Sequence, residues 1–296
     1  ICTYNRADLL AQALTALIDR TTEKPDQVVV VNGGGPDADA VVRSFMGRAG
    51  IELRLVNTVN KNLATSRNVG LPHCTGDIVA MTDDDGEVFP DWVARMKAAH
   101  KEHPGAGAAG GQVIGADAGF WLSRAADQVT FPTWPDVRYV RTLPGVNISY
   151  KREVLDKVGP QDETLLRGED VDFNWRVLLL GRKILFDPSI KVLHHHRPSL
   201  RGHLRQHYMY GRAYYWVRRK WPDMYCVYPH AIGRPRDLLK AVNFAASLFY
   251  QPFLTARALP RWSDRLLLLP VFFATGVAWK WGMLVEAVSA PRETAR

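Results

Sequence analysis

Three aspartates, Asp83, Asp84 and Asp85, follow directly on an apolar run in the stretch IVAMTDDDGEVFPDWV. Like charges this close repel. A turn is one explanation, because Asp-Asp-Gly is turn chemistry and acidic loops often only start helices. A divalent cation is the other: Mg2+ and Mn2+ take oxygen ligands, commonly one or two carboxylates completed by substrate phosphates. A second acidic group, Glu169, Asp170 and Asp172, lies in RGEDVDFNWRVLLLG, at the predicted start of a helix. The helix dipole favours ionised carboxylates there, and neighbours point about 100° apart. Asp172 could cap that helix or pair with Arg176. His194, His195 and His196 close a strand candidate, on which His194 and His196 share a face and His195 opposes them. Neutral imidazole binds Mn2+, and protonated imidazole pairs with phosphate. Taken singly, each cluster is equally well read as helix-start acids or strand-end polar filler.

The elements that carry these residues give them a common edge. Over 1–115, strand and helix patterns alternate. Leu9, Leu10, Ala13, Leu14, Leu17 and Ile18 fall at helical spacing after Asp8, a candidate N-cap. QVVVV is a β-branched run suited to a strand buried on both faces, and NGGGPD breaks it. IELRLVN and IVAMT read as strands, LATSRNVGLPHC and DWVARMKAAHKEH as helices, and AGAAGGQVIG as a glycine-rich strand. This order predicts a mostly parallel sheet covered on both sides. Ligands in such sheets sit beyond the carboxyl ends of the strands. Thr3-Tyr4-Asn5, Asn32 to Gly35 and Asp83 to Asp85 all fall at such ends.

The region 116–165 is less regular, with Trp121, Pro132, Trp134, Pro135 and Pro144. GVNISYKREVL reads as a short strand entering a helix. Residues 169–180 read as a helix apolar nearly all round and therefore buried, with Trp175 in the core and Gly181 at its C-cap. Beyond Arg197 the chain turns basic and aromatic. Two apolar stretches follow, 238–254 and 266–279, interrupted by Pro252 and Pro270, with Lys280 closing the second. Each is short of the roughly 20 residues a membrane span needs. Arg236, Lys240, Arg257, Arg261 and Arg265 flank them. The segment from about Arg234 onward is expected to lie on a membrane without crossing it, the competing reading being a helical pair packed on the domain or on a second copy.

The 296 residues suffice for one large domain with an appendage, and 47% hydrophobic with 23% charged residues is a globular composition. A net charge of +8 suits phosphate-bearing ligands, anionic membranes or nucleic acid without choosing among them. Cys2, Cys74 and Cys226 have no metal or redox spacing and read as free thiols in a reducing compartment. No secretory leader is read. The opening ICTYNR reads as the end of a strand, with earlier residues expected before it.

The order of motifs resembles family 2 glycosyltransferases with the GT-A fold. CTYNR resembles the family's opening strand and loop, VVVVNGGGPD its second strand and turn, and NKNLATSRNVGL its NxGxAxARNxG segment. MTDDDGEVFPDWV resembles its DXD strand end, GVNISYKREVL its acceptor-side segment, RGEDVDFNWRVLLLG its catalytic segment and KVLHHHR the strand after it. The match runs from about Ile1 to Lys220. It implies an α/β fold with a Rossmann-like sheet and a helical C-terminal extension: a donor-binding half over 1–115, an acceptor and catalytic half over 116–220, and an extension over 221–296.

The resemblance also implies roles. Asp170 is the base and Asp85 the best metal ligand, with His194 beside it and His196 second. Asp83 faces the ribose or shares the cation through water. Asp84 belongs to the same donor site, or is structural. Thr3, Tyr4 and Asn32 read the nucleotide base. Asn32 stands where the family usually has Asp, which leaves uracil, thymine and guanine open. Arg6 belongs to the donor site, Arg67 contacts phosphate or the aspartates, and Arg212 contacts the pyrophosphate. Asn147, Glu169 and Trp134 bind the acceptor. The implied activity is inverting, Mg2+- or Mn2+-dependent transfer of a hexose or deoxyhexose from a UDP-sugar, or a dTDP- or GDP-sugar, to a hydroxyl. The acceptor would be a cell-envelope saccharide or a lipid-linked carrier. The protein is expected in the cytoplasm or peripheral on the cytoplasmic face of the inner membrane, with an anionic membrane surface as a partner, a homo-oligomer left open and no nucleic acid. A sugar-nucleotide nucleotidyltransferase is the alternative enzyme, but TYNRADLL lacks the glycine-rich basic loop that it needs. A basic nucleic-acid-binding protein is suggested only by charge.

Overall fold

The computed structural model describes residues 1–131, 133–222, 224 and 235–289, and of Arg236 the backbone only. Pro132, Cys226 and Arg234 therefore lie outside the described residues. In chain order the elements are β1 (Cys2–Thr3), α1 (Ala7–Leu14), β2 (Gln27–Asn32), α2 (Pro36–Phe45), β3 (Glu52–Asn57) and α3 (Leu63–Gly70). Then come β4 (Ile78–Met81), β5 (Gly86–Val88), α4 (Trp92–Glu102), β6 (Ala106–Gly115), α5 (Trp121–Thr130), β7 (Arg138–Val140) and β8 (Ile148–Lys151). The last are α6 (Arg152–Val158), α7 (Glu169–Leu179), β9 (Lys183–His194), α8 (Leu200–Lys220), α9 (Pro235–Ala258) and α10 (Trp262–Ser289). They form two compact units, one of Ile1–Ala116 with Phe131–His195, the other of Asp117–Thr130 with His196–Arg296.

In the first unit β1, β2 and β3 form a parallel sheet in that order. Thr3 stands opposite Asn32, and Asn32 opposite Asn57, so three strand ends lie in one row. A bridge between Cys2 and Asp83 adds the end of β4 to that row. The expected convergence of the strand-end clusters is therefore present. The second sheet runs β4-β8-β6-β9-β5, with β7 also on β9. There β6 and β9 are parallel, while β8 is antiparallel to both β4 and β6. The expected mostly parallel pattern includes antiparallel pairings here, because β8 enters from a loop rather than a crossover helix.

Alternation along β9, reversed in phase where its register with β6 shifts between Asp187 and Lys191, splits the core. Leu185, Ile190 and Val192 join Leu10, Leu14, Val30, Trp92 and Met96, while Ile184 and Phe186 join Met81, Tyr150, Phe173 and Val177. Two helix expectations are corrected. Asp8 lies in the first turn of α1, whose N-cap is Arg6, and a π-helical turn (Thr15–Arg20) carries the chain on. α7 buries polar residues beside apolar ones: Asp172 and Asn174 are fully buried along with Phe173 and Val177, while Leu179 and Leu180 are exposed and Trp175 is half-buried. Asp172 pairs with Arg176 at 3.0 Å, and Asn174 accepts from Tyr150 at 2.7 Å. Gly181 follows with φ of 73°, as its capping position requires.

In the second unit α5, α9 and α10 share a core of Leu122, Ala125, Ala256, Leu268 and Phe272. Pro252 and Pro270 do not end the apolar stretches; α9 runs 24 residues and α10 28, with each proline inside its helix. The expected shortness is corrected: among the described residues α10 is long and apolar enough to cross a membrane by length and composition.

Candidate active site

The aspartates of the triad part at once into different environments. Asp84 turns inward and is fully buried. It accepts from Thr3 Oγ1 at 2.7 Å and Arg6 Nε at 3.1 Å, and forms an ion pair with Arg6. Burial pushes its carboxyl up to about 6, against the pull of Arg6 and Thr3. Asp85 turns outward, with Arg6 Nη1 at 2.6 Å and His194 Nε2 at 3.5 Å. The pairing of Gly86 with His194 brings Asp85 and His194 together, and the Asp85 carbonyl accepts from His195 N at 3.0 Å. Asp83 meets Arg67 Nη2 at 3.2 Å.

Arg67, on α3, is 6% exposed and also holds Glu169 at 3.0 Å. Burial opposes its charge, but Asp83 and Glu169 outweigh it and hold the guanidinium protonated beyond its ordinary value. A Cβ on Gly145 would overlap that guanidinium, so Gly145 is the platform on which Arg67 lies. Gly145 N also donates to Asp170 Oδ2 at 3.1 Å, and Val171 N to Asp170 Oδ1 at 2.8 Å. Gly168, at φ 78°, turns the chain into α7 just before. Burial raises the Asp170 carboxyl, and Arg67 draws it back. Burial, then the Asp170 charge, raise Glu169. The two acids share one environment and titrate together above the usual carboxylate range.

At the row of strand ends Tyr4 is half exposed, and Asn32 is buried with its amide engaged. Asn32 Nδ2 donates to Asp39 Oδ1 at 2.7 Å and to Gly35 O at 3.0 Å, while its Oδ1 accepts from Gly34 N at 2.7 Å. Asn32 thus builds the NGGG turn. Asn5, at φ 52°, accepts from Gly35 N at 3.0 Å.

Two other expected residues of the first unit, Asn147 and Trp134, are engaged in its core. Asn147 is fully buried and clamps strands, donating to Gln112 O and Ile190 O at 3.0 Å and accepting from Trp92 Nε1 at 2.9 Å. Trp134 packs edge-on against Phe186. In the helical unit, Arg212 holds Glu286 at 2.6 Å and His196 holds Asp127 at 2.7 Å. The shared face of His194 and His196 is not kept, because β9 ends at His194; His195 turns to Glu87 at 2.9 Å. Sequence reasoning missed Gly145 and Asp39, and placed Asn5 at a strand end without giving it a role. A glycine beside a proline and an asparagine in a loop carry only turn signals. Cys2 and Cys74 are free thiols, as expected of them.

Asp85 and His194, each side chain 12% exposed, are an oxygen and a nitrogen donor side by side, the donor types that Mn2+ accepts. Among the described residues no group of three or more His, Cys, Asp or Glu is placed to hold a metal. Two protein donors fit a cation completed by phosphate and water, and do not fit a closed protein site.

A helix-walled mixed sheet, with carboxylates, an imidazole and a buried guanidinium at one edge, defines the GT-A class of α/β proteins. The family model for Glycosyl transferase family 2 matches residues 1–159, more than half of the chain, and the chain belongs to that family. It is 30% identical over 185 residues to a glucosyl-dolichyl phosphate glucuronosyltransferase of Haloferax volcanii, covering 57% of each chain. It is 29% identical over 201 residues to the succinoglycan biosynthesis protein ExoM of Rhizobium meliloti, covering 65% of this chain and 64% of that one. The chain thus spans less than two thirds of the length of these relatives. Among solved structures it resembles a Pyrobaculum calidifontis mannosyltransferase in complex with GDP-Man and Mn2+, with a TM-score of 0.64 at 16% identity over 98% of this chain and 86% of that one. It also resembles S. aureus TarS 1-349 in complex with UDP-GlcNAc, with a TM-score of 0.61 at 17% identity over 97% of this chain and 89% of that one.

Proposed function

We propose that the chain is an inverting glycosyltransferase that moves a sugar from a nucleoside diphosphate to a hydroxyl of a saccharide or lipid-linked acceptor in cell-envelope synthesis. The observation that carries this is the Arg67 bridge: one guanidinium joins Asp83, of the strand-end triad, to Glu169, the neighbour of Asp170. It ties the proposed donor half, 1–115, to the proposed acceptor half, 116–220.

Asp170 is the proposed base. The two N–H groups on its oxygens fix its direction, and its raised affinity for a proton suits it to accept one from the acceptor hydroxyl. The acceptor oxygen then attacks the anomeric carbon as the bond from that carbon to the diphosphate breaks. The nucleoside diphosphate departs with the bonding pair, and the proton stays on Asp170. A single displacement inverts the anomeric centre. Arg6 supplies positive charge for the leaving phosphate, and Asp83 and Tyr4 face the nucleoside. Asp85 and His194 would hold Mg2+ or Mn2+, which supplies further neutralisation when bound. The complexes of the structural relatives, with GDP-Man and Mn2+ and with UDP-GlcNAc, support the donor class. The dolichyl phosphate and succinoglycan relatives support the acceptor class.

The test is thermal unfolding of the purified chain with UDP-, dTDP- and GDP-sugars, with and without Mn2+, followed by transfer assays with the donor that binds. A ligand bound to the folded state alone raises the midpoint, by about 2.7 kcal/mol of stability at a hundredfold excess over its Kd. Asp85→Ala is expected to lose the Mn2+-dependent part of that shift with the fold intact. A full shift in the variant would remove Asp85 from the role.

A further inference from the structure

In the helical unit many apolar side chains face outward. Leu239, Phe249 and Phe253 on α9 and Trp262, Leu266 and Trp281 on α10 are each more than half exposed. Most of the exposed large apolar side chains among the described residues lie on these two helices. They follow helical spacing: Val242, Phe249 and Phe253 make one stripe, and Val277, Trp281, Leu284 and Val288 another. Residues 241–256 and 266–279 include no Asp, Glu, Lys or Arg. Exposed Arg257, Arg261 and Arg265 gather around the connection between the helices. Asp264, the one acid between Lys240 and Glu286, is buried and paired with Arg124 at 3.1 Å. The tip is therefore positive with no exposed acid beside it in sequence.

The inner face of α10 is committed elsewhere. A Cβ on Gly211 would overlap the Trp279 carbonyl, and one on Gly282 the Tyr208 carbonyl, so α8 and α10 cross backbone to backbone. Along that crossing His203 meets Thr275 at 3.0 Å, and Glu286 accepts from Arg212 and Trp216. Lipid on all sides of α10 would place these groups in hydrocarbon, at high cost. One face only is available.

We propose that the outer face of α9 and α10 is a docking surface for an anionic membrane, on which both helices lie in the plane of the headgroups. The apolar stripes enter the headgroup–acyl boundary, Trp262 and Trp281 sit at that level, and the three arginines meet lipid phosphates. A second copy would cover the apolar stripes but leave the arginines unanswered, because residues 241–285 offer a twofold-related copy no exposed acid. The proposal extends the function above to the surface on which a lipid-linked acceptor would lie. Its test reads vesicle binding and not turnover, so the two can fail separately.

The experiment is co-sedimentation of the full chain with phosphatidylcholine vesicles, with and without phosphatidylglycerol, at low and high salt. Binding is expected only with the anionic lipid and is expected to fall at least tenfold at high salt. The double variant Arg257→Gln/Arg261→Gln, with an unchanged circular dichroism spectrum, is expected to bind about thirtyfold more weakly, from roughly 1 kcal/mol per arginine. Phe249→Ser is expected to weaken binding in salt and without it. Equal binding to neutral vesicles, or an unchanged double variant, would overturn the proposal. Resistance to alkaline extraction would replace in-plane docking by a spanning helix. A dimer in light scattering, broken by Phe249→Ser, with no vesicle binding would give the face to a second copy.

Discussion

At the residue scale the site rests on one buried cation. Arg67 is charged, nearly inaccessible, and held by two carboxylates on a surface that only glycine can provide. Gly145→Ala forces the guanidinium to shift. We expect turnover to drop on the order of a hundredfold, because small displacements at a reacting centre carry such costs. Donor affinity measured by calorimetry should change far less, and equal losses in both would show that Gly145 serves the fold alone. Asp170→Asn keeps the shape and loses the proton acceptor. Its turnover should fall by about 10²- to 10⁴-fold with nucleotide binding spared. Retained configuration in the product would exclude the single displacement.

At the element scale α3 works on two sides. Arg67 faces the acids, while Asn62, Thr65 and Asn68, three residues apart, hold the loop that leads into α7. Glu163 is the centre of that latch: its carboxylate accepts from Thr65 Oγ1 and Asn68 Nδ2, both at 2.9 Å, and its carbonyl from Asn62 Nδ2 at 2.8 Å. These bonds hold the carboxylate below its ordinary pKa. From α7, Arg176 reaches back to Val158 O and Pro160 O, both at 2.8 Å, so the loop is pinned from both helices. Glu163→Ala should lower the unfolding midpoint, because the two hydrogen bonds to its carboxylate are lost, and lower the rate constant for transfer. Glu163→Gln should recover part of each. A variant that loses stability but keeps its rate would show that the latch does not position Asp170.

At the scale of the whole molecule, stability should respond to acid through buried histidines. His100 Nε2 lies 2.9 Å from Ser149 Oγ, which donates to Ala109 O, so the imidazole is the donor in that pair. Burial, then Lys151, push its pKa down to about 4. Between about 6.5 and 4 the unfolded chain binds the proton that the folded one refuses. Stability from this group is full above that window and falls as pH drops through it, by about 3 kcal/mol in all. His100→Gln keeps a donor toward Ser149 and removes the titration. Urea midpoints at pH 7.5 and 5 should therefore differ less in the variant than in the parent. An equal difference in both would place the acid sensitivity elsewhere.

The sequence by itself determined the chemistry on offer and the strand ends that carry it. Period-two and period-3.6 patterns are local, so β2, β4, α4, α7 and the row of Thr3, Asn32 and Asp83 could be read directly. The strand pairings that turn β8 antiparallel could not, nor could the grouping of α5 with the C-terminal helices, because both depend on distant packing. Partners were decided by the tertiary structure. Thr3 and Asp84 are 81 residues apart, and Arg67 and Glu169 are 102 apart. Three consecutive histidines, alike in sequence, meet three different carboxylates, Asp85, Glu87 and Asp127. Asn147 and Asn32, polar residues within good motifs, are spent on strand and turn. A side chain's type limits what it can bond, but burial and the nearest unsatisfied group decide what it does bond.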